Sequence, residues 1–148
     1  MIVPDVNLLI YAYDASSPRH AAAAKWWKGC MTGQEEVGLA RVVLFGFVRI
    51  CTHPSIFQSP LTVAEVTQRV ESWLARPQVR VLEPSPHHVA EVLALLEKTG
   101  TAGNLTTDAQ IAALTRQEKA ILHSNDTDFL RFPGLRWHNP LTGKGQLT

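Results

Sequence analysis

The sequence predicts an α/β fold built on a central, mostly parallel sheet. Short apolar segments that suit strands alternate with longer segments that suit helices, which is typical of βαβ units around such a sheet. Acidic residues follow the first and the fourth of these strands. The length of 148 residues is that of one domain. We assign the domain to residues 1–141 and a short C-terminal tail to residues 142–148.

Five short apolar segments are the predicted strands. They span residues 2–4, 37–39, 79–82, 120–123 and 135–137. The last is expected at an edge of the sheet and is followed by a loose tail from residue 142, because chain ends are often poorly ordered. Pro4 is unusual in a buried strand, since proline removes one donor from the hydrogen-bond ladder.

The longer segments carry helix signals. The aliphatic run after Asp5 suits a helix, and the next helix contains Pro18 in its first turn and four consecutive alanines of high helix propensity. Thr62 and Glu65 have the spacing of a capping box. Beyond the first run, helices are predicted over residues 18–31, 42–51, 62–75 and 85–98, and from residue 107 towards the fourth strand.

Composition limits the possible classes of protein. Hydrophobic residues make up 45% of the chain, which argues against disorder, and the net charge of +1 neither predicts nor excludes a nucleic-acid partner. No apolar stretch approaches the ~20 residues of a membrane helix, and the N-terminus lacks the features of a secretion signal. The two cysteines lack the spacing of a zinc site or a disulfide framework. We therefore expect a cytoplasmic protein, with no membrane partner and with reduced cysteines.

Separated aspartates are the strongest functional signal. Asp5 follows the first strand and Asp108 opens the helix before the fourth strand, while Asp126 follows that strand with Asp128 close behind. Active sites of open α/β folds lie at the carboxyl edge of the sheet. Carboxylates gathered there repel one another unless a cation is present, and Mg²⁺ or Mn²⁺ takes such hard oxygen ligands. The pattern therefore predicts a divalent-cation site, which suits hydrolysis of a phosphodiester.

Each aspartate also has a purely structural interpretation. Asp5 is a favoured helix N-cap, Asp108 is an acidic first-turn residue that the helix dipole stabilises, and Asp126 suits a turn. For each aspartate taken singly, the structural interpretation is as good as the interpretation as a metal site, because aspartate is common in caps and turns. The position of all three at strand-to-helix or loop-to-helix junctions of one domain favours the site.

Four other residues are candidates for supporting roles. Asn7 comes shortly after the first aspartate and suits support of a metal-bound water, and Ser124 ends the fourth strand and suits a hydrogen bond to a ligand. Asp128 is a further carboxylate in the same turn. Arg49 is the best candidate for a phosphate contact, because its helix follows the second strand and should start near the same edge. Helix-start polarity, turn formation and ordinary solvation explain these residues nearly as well.

Three segments, in order, resemble the PIN-domain proteins and more narrowly the VapC-type toxins of bacterial toxin–antitoxin pairs. They are residues 5–12 (DVNLLIYA), 104–114 (NLTTDAQIAAL) and 124–137 (SNDTDFLRFPGLRW). The first motif alone is weakly specific, but the three together at this chain length are strong. The resemblance extends from residue 1 to about residue 141.

The resemblance implies a three-layer α/β/α sandwich, RNA cleavage that depends on Mg²⁺ or Mn²⁺, and a homodimer. It also implies a cognate VapB-like antitoxin whose tail occupies the groove around the active site. By motif, Asp5 would be the first metal-binding acid, Asp108 the third and Asp126 the fourth. The leading hypothesis is therefore a metal-dependent endoribonuclease toxin that leaves a 5′-phosphate and a 3′-hydroxyl.

The second acidic position departs from the family pattern. The family usually has a glutamate in the helix after the second strand, but residues 39–49 of this chain contain no acid and Gly46 stands at the expected place. The loss of one ligand and one negative charge should weaken metal binding. A glycine in a helix also costs ~1 kcal/mol relative to alanine. Glu35 and Glu36 are expected at the opposite edge of the sheet.

Two other functions stay open from the sequence. In one, the chain keeps the fold and the antitoxin but binds RNA or protein with little or no cleavage, because Gly46 leaves the second acidic position empty. In the other, a small phosphatase uses Asp5 as its nucleophile. Such enzymes typically have a second aspartate two residues on, where this chain has Asn7. Loss of RNA cleavage on chelation would support the nuclease, and a phosphoryl group trapped on Asp5 would identify the phosphatase.

Overall fold

The computed structural model describes residues 1–147 and contains a six-stranded sheet in the order β3-β2-β1-β4-β5-β6. The strands are β1 (Ile2–Pro4), β2 (Val37–Leu39), β3 (Val79–Val81), β4 (Ile121–His123), β5 (Trp137–His138) and β6 (Gly145–Gln146). Neighbouring strands pair in parallel except β5 and β6, which pair antiparallel. The predicted α/β/α sandwich with a mostly parallel sheet is confirmed.

Helices connect most of these strands. The α-helices are α1 (Val6–Tyr13), α2 (His20–Thr32), α3 (Arg41–Cys51), α4 (Val63–Leu74), α5 (His88–Thr99) and α6 (Leu105–Gln117), and a 3₁₀ helix spans Thr127–Arg131. Two helices begin later than predicted because Ser17 and Ser85 accept hydrogen bonds from the N–H groups two residues on, which forms a turn ahead of α2 and α5. None of the helices within residues 1–147 is long and apolar enough to cross a membrane.

Strand β1 lies at the point where the strand order reverses. The chain adds β2 and β3 on one side of β1 and then returns to add β4, β5 and β6 on the other side. In open α/β sheets, ligands bind outside the carboxyl ends of the strands at such a switch point. Asp5 directly follows β1 and Ser124 directly follows β4, so both residues lie at this edge.

Pro4 explains why β1 pairs only briefly with β2. The N–H of Ile2 donates to the carbonyl of Glu36 at 2.8 Å, and the next donor towards β2 would belong to residue 4, where proline has none. Pairing with β2 accordingly stops after Ile2. On the other side, the N–H of Asp5 donates to the carbonyl of His123 at 2.9 Å. The carboxyl end of β1 is therefore bonded to β4.

Two predictions for the C-terminal region are wrong. Strand β5 begins later than predicted and is not at the edge of the sheet, because Gly145–Gln146 pairs outside it as β6. The segment predicted to be a loose tail from residue 142 contains that strand. The N–H of Asn139 donates to the carbonyl of Lys144 at 2.8 Å and holds the hairpin closed. Thr148, the last residue of the predicted tail, lies outside the described residues.

An aromatic cluster orients α1 beside the sheet. Tyr13, Phe47 and Trp73 belong to α1, α3 and α4, and their ring centroids lie 4.8 to 5.8 Å apart. Trp73 Nε1 also donates to the Tyr13 hydroxyl at 2.8 Å. Such pairs contribute roughly 0.5–1.5 kcal/mol each beyond their burial. The cluster anchors the C-terminal end of α1, and the other end of this helix carries Asp5 as its cap.

Candidate active site

Asp5 lies at the carboxyl end of β1 and is only 3% exposed. Its Oδ1 accepts a hydrogen bond from the N–H of Val6 at 2.7 Å, and its Oδ2 accepts one from the Ser124 hydroxyl at 2.9 Å. Burial raises the pKa of Asp5 to about 6; the two hydrogen bonds oppose this rise, and the charge of Asp126 adds to it. The structure thus holds a carboxylate in surroundings that disfavour its charge.

Ser124 links Asp5 to the loop that follows β4. Ser124 is fully buried, and its hydroxyl oxygen accepts a hydrogen bond from the N–H of Asp126 at 2.9 Å while its proton is donated to Asp5. Asp126 Oδ1 in turn accepts from the N–H of Asp128 at 2.8 Å and caps the 3₁₀ helix. The Ser124 hydroxyl is therefore engaged with Asp5 and positions one aspartate relative to another.

Asp108 lies in the first turn of α6 and is half-buried. Burial, together with the charges of Asp5, Asp126 and Asp128, raises the pKa of Asp108 to about 7. Side chains that are distant in sequence therefore lie within electrostatic reach of one another at the carboxyl edge. The three residues predicted to bind the metal therefore lie at the same edge of the sheet, and their role as ligands stays a prediction.

The donor set of this site fits a hard divalent cation. Carboxylate oxygens are the ligands that Mg²⁺ and Mn²⁺ prefer, and nearby negative charge adds to the burial that raises the pKa of Asp108. Within residues 1–147, no three histidine, cysteine, aspartate or glutamate side chains already stand in an arrangement ready to hold a metal ion. The carboxylates therefore share a site without forming a closed ligand shell. Mg²⁺ usually keeps several waters in its coordination shell, so it does not need a closed set of protein ligands.

The structural interpretations of the aspartates also hold. Asp5 caps α1, Asp126 caps the 3₁₀ helix, and Asp108 lies in the first turn of α6. Helix N-termini supply N–H groups and partial positive charge that hold carboxylates. These roles explain why aspartate is tolerated at each position. They do not require the burial of Asp5 or the mutual repulsion that raises the pKa of Asp108.

Gly46 borders the site but supplies no ligand. A Cβ built at position 46 would lie 3.4 Å from Cγ2 of Val6, in the first turn of α1. The space at this position therefore admits the start of a longer side chain. Glu35 and Glu36 do not replace the missing acid, because they precede β2 at the amino edge of the sheet, where Glu35 pairs with the N-terminal amine at 3.7 Å.

Two predicted supporting residues lie outside the hydrogen-bond network. Asn7 is half-buried in the first turn of α1, and its side chain has no hydrogen-bond partner among the described residues. Arg49 is exposed in the last turn of α3, about 12 Å along the helix axis from its first residue at a rise of 1.5 Å per residue. Asp128 is exposed but contributes to the pKa of Asp108. The roles of all three stay predictions.

His123 precedes Ser124 but does not offset the carboxylates with positive charge. Burial, together with the positive charges of His138 and the N-terminal amine, lowers the pKa of His123 to about 4. Trp26 Nε1 donates to His123 Nδ1 at 3.0 Å, which requires that nitrogen to be unprotonated. His123 is therefore neutral near pH 7 and packs against α2.

Sequence reasoning missed Asn139. This residue is 5% exposed; its Nδ2 donates to Asn125 Oδ1 at 2.8 Å, and its Oδ1 accepts from the N–H of Leu141 at 3.0 Å. Asn139 thereby connects the β5–β6 hairpin to the loop that carries Asp126. An asparagine before a proline is typical of a turn, so nothing in the sequence indicated this contact.

Comparisons with known proteins show what the whole chain is similar to. A family model described as the PIN domain matches residues 2–135. Ribonuclease VapC33 from Mycobacterium tuberculosis (strain ATCC 25618 / H37Rv) is 44% identical over 141 residues, which cover 95% of this chain and 99% of the relative. Ribonuclease VapC37 from the same strain is 36% identical over 140 residues, which cover 95% and 97%.

A solved structure gives the same fold. VapBC2 from Rickettsia felis, bound to a DNA fragment from its promoter, matches with a TM-score of 0.67 at 18% identity. The match covers 94% of this chain and 98% of that chain. At this identity the likeness concerns the fold alone.

Proposed function

We propose that this chain, which belongs to the PIN-domain family and within it to the VapC ribonucleases, is an endoribonuclease that depends on Mg²⁺ or Mn²⁺. The observation that carries the proposal is the arrangement at the carboxyl edge, where the Ser124 hydroxyl joins Asp5 to the loop of Asp126. The charges of these aspartates add to the burial that raises the pKa of Asp108. Gathered carboxylates are unfavourable unless a cation neutralises them. A divalent cation at this edge both resolves that repulsion and supplies phosphodiester chemistry.

The residues that would hold the cation are Asp5, Asp108 and Asp126. When bound, Mg²⁺ or Mn²⁺ supplies an activated water and neutralises charge on the phosphate. The chain prepares Asp5 for this role, because the N–H of Val6 and the Ser124 hydroxyl each hold one of its oxygens. Hydrogen bonds of this kind orient ligands and restrict their rotation.

The reaction we propose is hydrolysis of an RNA phosphodiester. A water oxygen adds to phosphorus in line with the leaving group, and the bond from phosphorus to the 3′ oxygen breaks. The 3′ oxygen takes up a proton, so the products are a 5′-phosphate and a 3′-hydroxyl. Asp5 and Asp108 are suited to this step because they become anionic as the pH rises past their pKa values of about 6 and about 7.

The proposed partners follow from the family and its VapBC relatives. They are an RNA substrate, a cognate VapB-like antitoxin and a second copy of the chain in a homodimer. The Rickettsia felis relative is a VapBC pair bound to promoter DNA, which supports an antitoxin for this chain too. We propose that the chain acts in the cytoplasm, where such an RNA substrate is found.

A second candidate function has one specific observation in its favour. Gly46 leaves the family's second acidic position without a ligand, so the chain would bind RNA or antitoxin with little or no cleavage. The phosphatase hypothesis has no comparable support, because the chain belongs to the PIN-domain family and Asn7 occupies the place of the second aspartate.

Chelation separates the nuclease from the binding protein. Purified chain freed of its antitoxin is incubated with structured RNA in Mn²⁺, in EDTA, and in EDTA followed by excess Mn²⁺. We expect cleavage only in the first and third samples, with 5′-phosphate ends on the products. Cleavage that persists in EDTA contradicts the metal mechanism. Binding without cleavage in all three samples identifies the second candidate function.

Restoring an acid at position 46 is expected to strengthen metal binding. Gly46→Glu should bind Mn²⁺ about tenfold more tightly in calorimetric titration, since the number of charged ligands sets the affinity of a carboxylate site. Gly46→Ala is the matched control, because it removes the helix glycine without adding a ligand. The alanine variant should gain about 0.5–1 kcal/mol of stability and keep the wild-type affinity. Equal affinities for the two variants would show that position 46 does not reach the cation.

A further inference from the structure

We infer that Asn139 is a positioning residue that holds the loop of Asp126 in place through Asn125. The inference rests on the proposed function, because the position of this loop matters for catalysis only if Asp126 takes part in cation binding. The residue directly follows β5, whose carboxyl end lies beside that of β4 because the two strands pair in parallel. It begins the β5–β6 turn, ahead of the segment predicted to be a loose tail from residue 142.

The loop 124–126 is fixed at each of its three residues by a different contact. Ser124 donates to Asp5 Oδ2 at 2.9 Å, and the N–H of Asp126 donates to the Ser124 hydroxyl oxygen at 2.9 Å. Between them, Asn125 Oδ1 accepts a hydrogen bond from Asn139 Nδ2 at 2.8 Å. The Asn125–Asn139 bond is the side-chain contact that ties this loop to the hairpin.

The two ends of the Asn139 amide serve different purposes. Its Oδ1 accepts from the N–H of Leu141 at 3.0 Å, a bond within the hairpin turn. Its Nδ2 points out of the hairpin to Asn125. The turn requires only a side-chain acceptor, which aspartate or serine would also supply. The turn therefore does not explain the Nδ2 donor of Asn139. The hydrogen bond to Asn125 does explain it, because an unpaired amide at 5% exposure would be unfavourable.

Asn125 and Asn139 are not proposed to bind the cation themselves, but they contact the loop that carries the proposed ligand Asp126. Groups in such positions orient metal ligands, and their loss typically weakens metal affinity by about 10- to 100-fold. Ser124 is also tied to the hairpin by its N–H, which donates to the carbonyl of His138 at 3.1 Å, but Asn125, Asp126 and Asp128 are all at least partly exposed. Loss of the Asn125–Asn139 bond should thus loosen Asp126 while leaving Asp5, which is buried and held by Val6, in place.

The test measures Mn²⁺ affinity by calorimetry and amide hydrogen exchange of Asp126 in the full chain. We expect Asn139→Ala and Asn125→Ala each to weaken Mn²⁺ binding by about tenfold or more and to speed exchange of the Asp126 N–H. Asn125→Asp keeps an acceptor for Asn139 Nδ2 and should retain at least the wild-type affinity. The variant that carries both alanines should bind Mn²⁺ no more weakly than the weaker-binding single variant, because each single substitution already removes the same Asn125–Asn139 bond.

A hairpin control separates positioning from general destabilisation. Gly143 has φ 77° in the β5–β6 turn, so Gly143→Ala strains the hairpin without touching the Asn125–Asn139 bond. It should lower the melting temperature and leave Mn²⁺ affinity unchanged. If Asn139→Ala fails to fold, Asn125→Ala decides the question, because it leaves the hairpin intact.

Failure of this inference is distinguishable from failure of the proposed function. A wild-type chain that does not bind Mn²⁺ contradicts the metal site itself. A wild-type chain that binds Mn²⁺ while Asn125→Ala binds equally tightly, with unchanged exchange at Asp126, overturns the positioning role alone. The positioning role is also overturned if Gly143→Ala weakens Mn²⁺ affinity as much as Asn139→Ala does.

Discussion

Replacing Asp108 with asparagine is expected to lower the rate of RNA cleavage by about a thousandfold. A bound cation supplies several kcal/mol of transition-state stabilisation, and each 1.36 kcal/mol corresponds to a factor of about ten in rate. Asparagine keeps the shape of the side chain but removes the charge that burial and three other aspartates disfavour. Asp108→Asn should therefore lose activity while the metal-free protein becomes more stable near pH 8. Single-turnover cleavage in Mn²⁺ and thermal unfolding in EDTA measure the two effects.

Asp128→Asn is the control for this experiment, because it removes a nearby charge without removing a proposed metal ligand. Asp128 is exposed and influences the pKa of Asp108, so its loss should lower cleavage by about tenfold or less through charge alone. Asp5→Asn should match Asp108→Asn in activity, since both residues are proposed to bind the cation. An Asp108→Asn variant that cleaves RNA like the wild type, or one that is less stable without metal, would contradict the proposed role of this residue.

The metal-free protein is expected to be more stable at pH 5 than at pH 8. The pKa of Asp5 is raised to about 6 and that of Asp108 to about 7 in the folded state, whereas both are close to 4 in an unfolded chain. Between these values the folded state binds more protons, so stability falls as the pH rises. For the buried Asp5 alone, the loss between pH 5 and pH 8 is about 1.4 kcal/mol. This corresponds to a fall of roughly 3–6 °C in melting temperature.

Added Mn²⁺ should oppose this loss, because the ion binds the deprotonated carboxylates. The rise in melting temperature on adding Mn²⁺ should be larger at pH 8 than at pH 5. Asp14→Asn, a change at the other end of α1, should leave the pH dependence as it is in the wild type, whereas Asp5→Asn should flatten it. If the wild-type protein in EDTA becomes more stable from pH 5 to pH 8, folding does not raise the pKa of these carboxylates.

The fold was predictable because its signals are local and repeated. Short apolar strands alternate with amphipathic helices, and the capping box of Thr62 and Glu65 forms as predicted. Helix starts were less accurate where Ser17 and Ser85 form turns ahead of α2 and α5. Strand β6 was missed because two exposed residues, Gly145–Gln146, carry no apolar pattern, and their pairing with β5 depends on backbone contacts across the hairpin.

The site was predictable only in part, for a physical reason. The aspartates follow strands or open helices, and the switch point between β1 and β4 brings such positions together. What the sequence does not encode locally is the contact between Asn125 and Asn139, or the use of the Ser124 hydroxyl for Asp5. Those contacts arise when distant segments meet, and their residue types are equally common in turns.

The measurement closest to the central claim is a crystal structure of the protein soaked in Mn²⁺, with the metal located by anomalous diffraction. We expect one strong peak at the carboxyl ends of β1 and β4, coordinated directly by oxygens of Asp5, Asp108 and Asp126, and absent from crystals of Asp108→Asn. An ordered Mn²⁺ elsewhere on the molecule, with none between these three side chains, would contradict it.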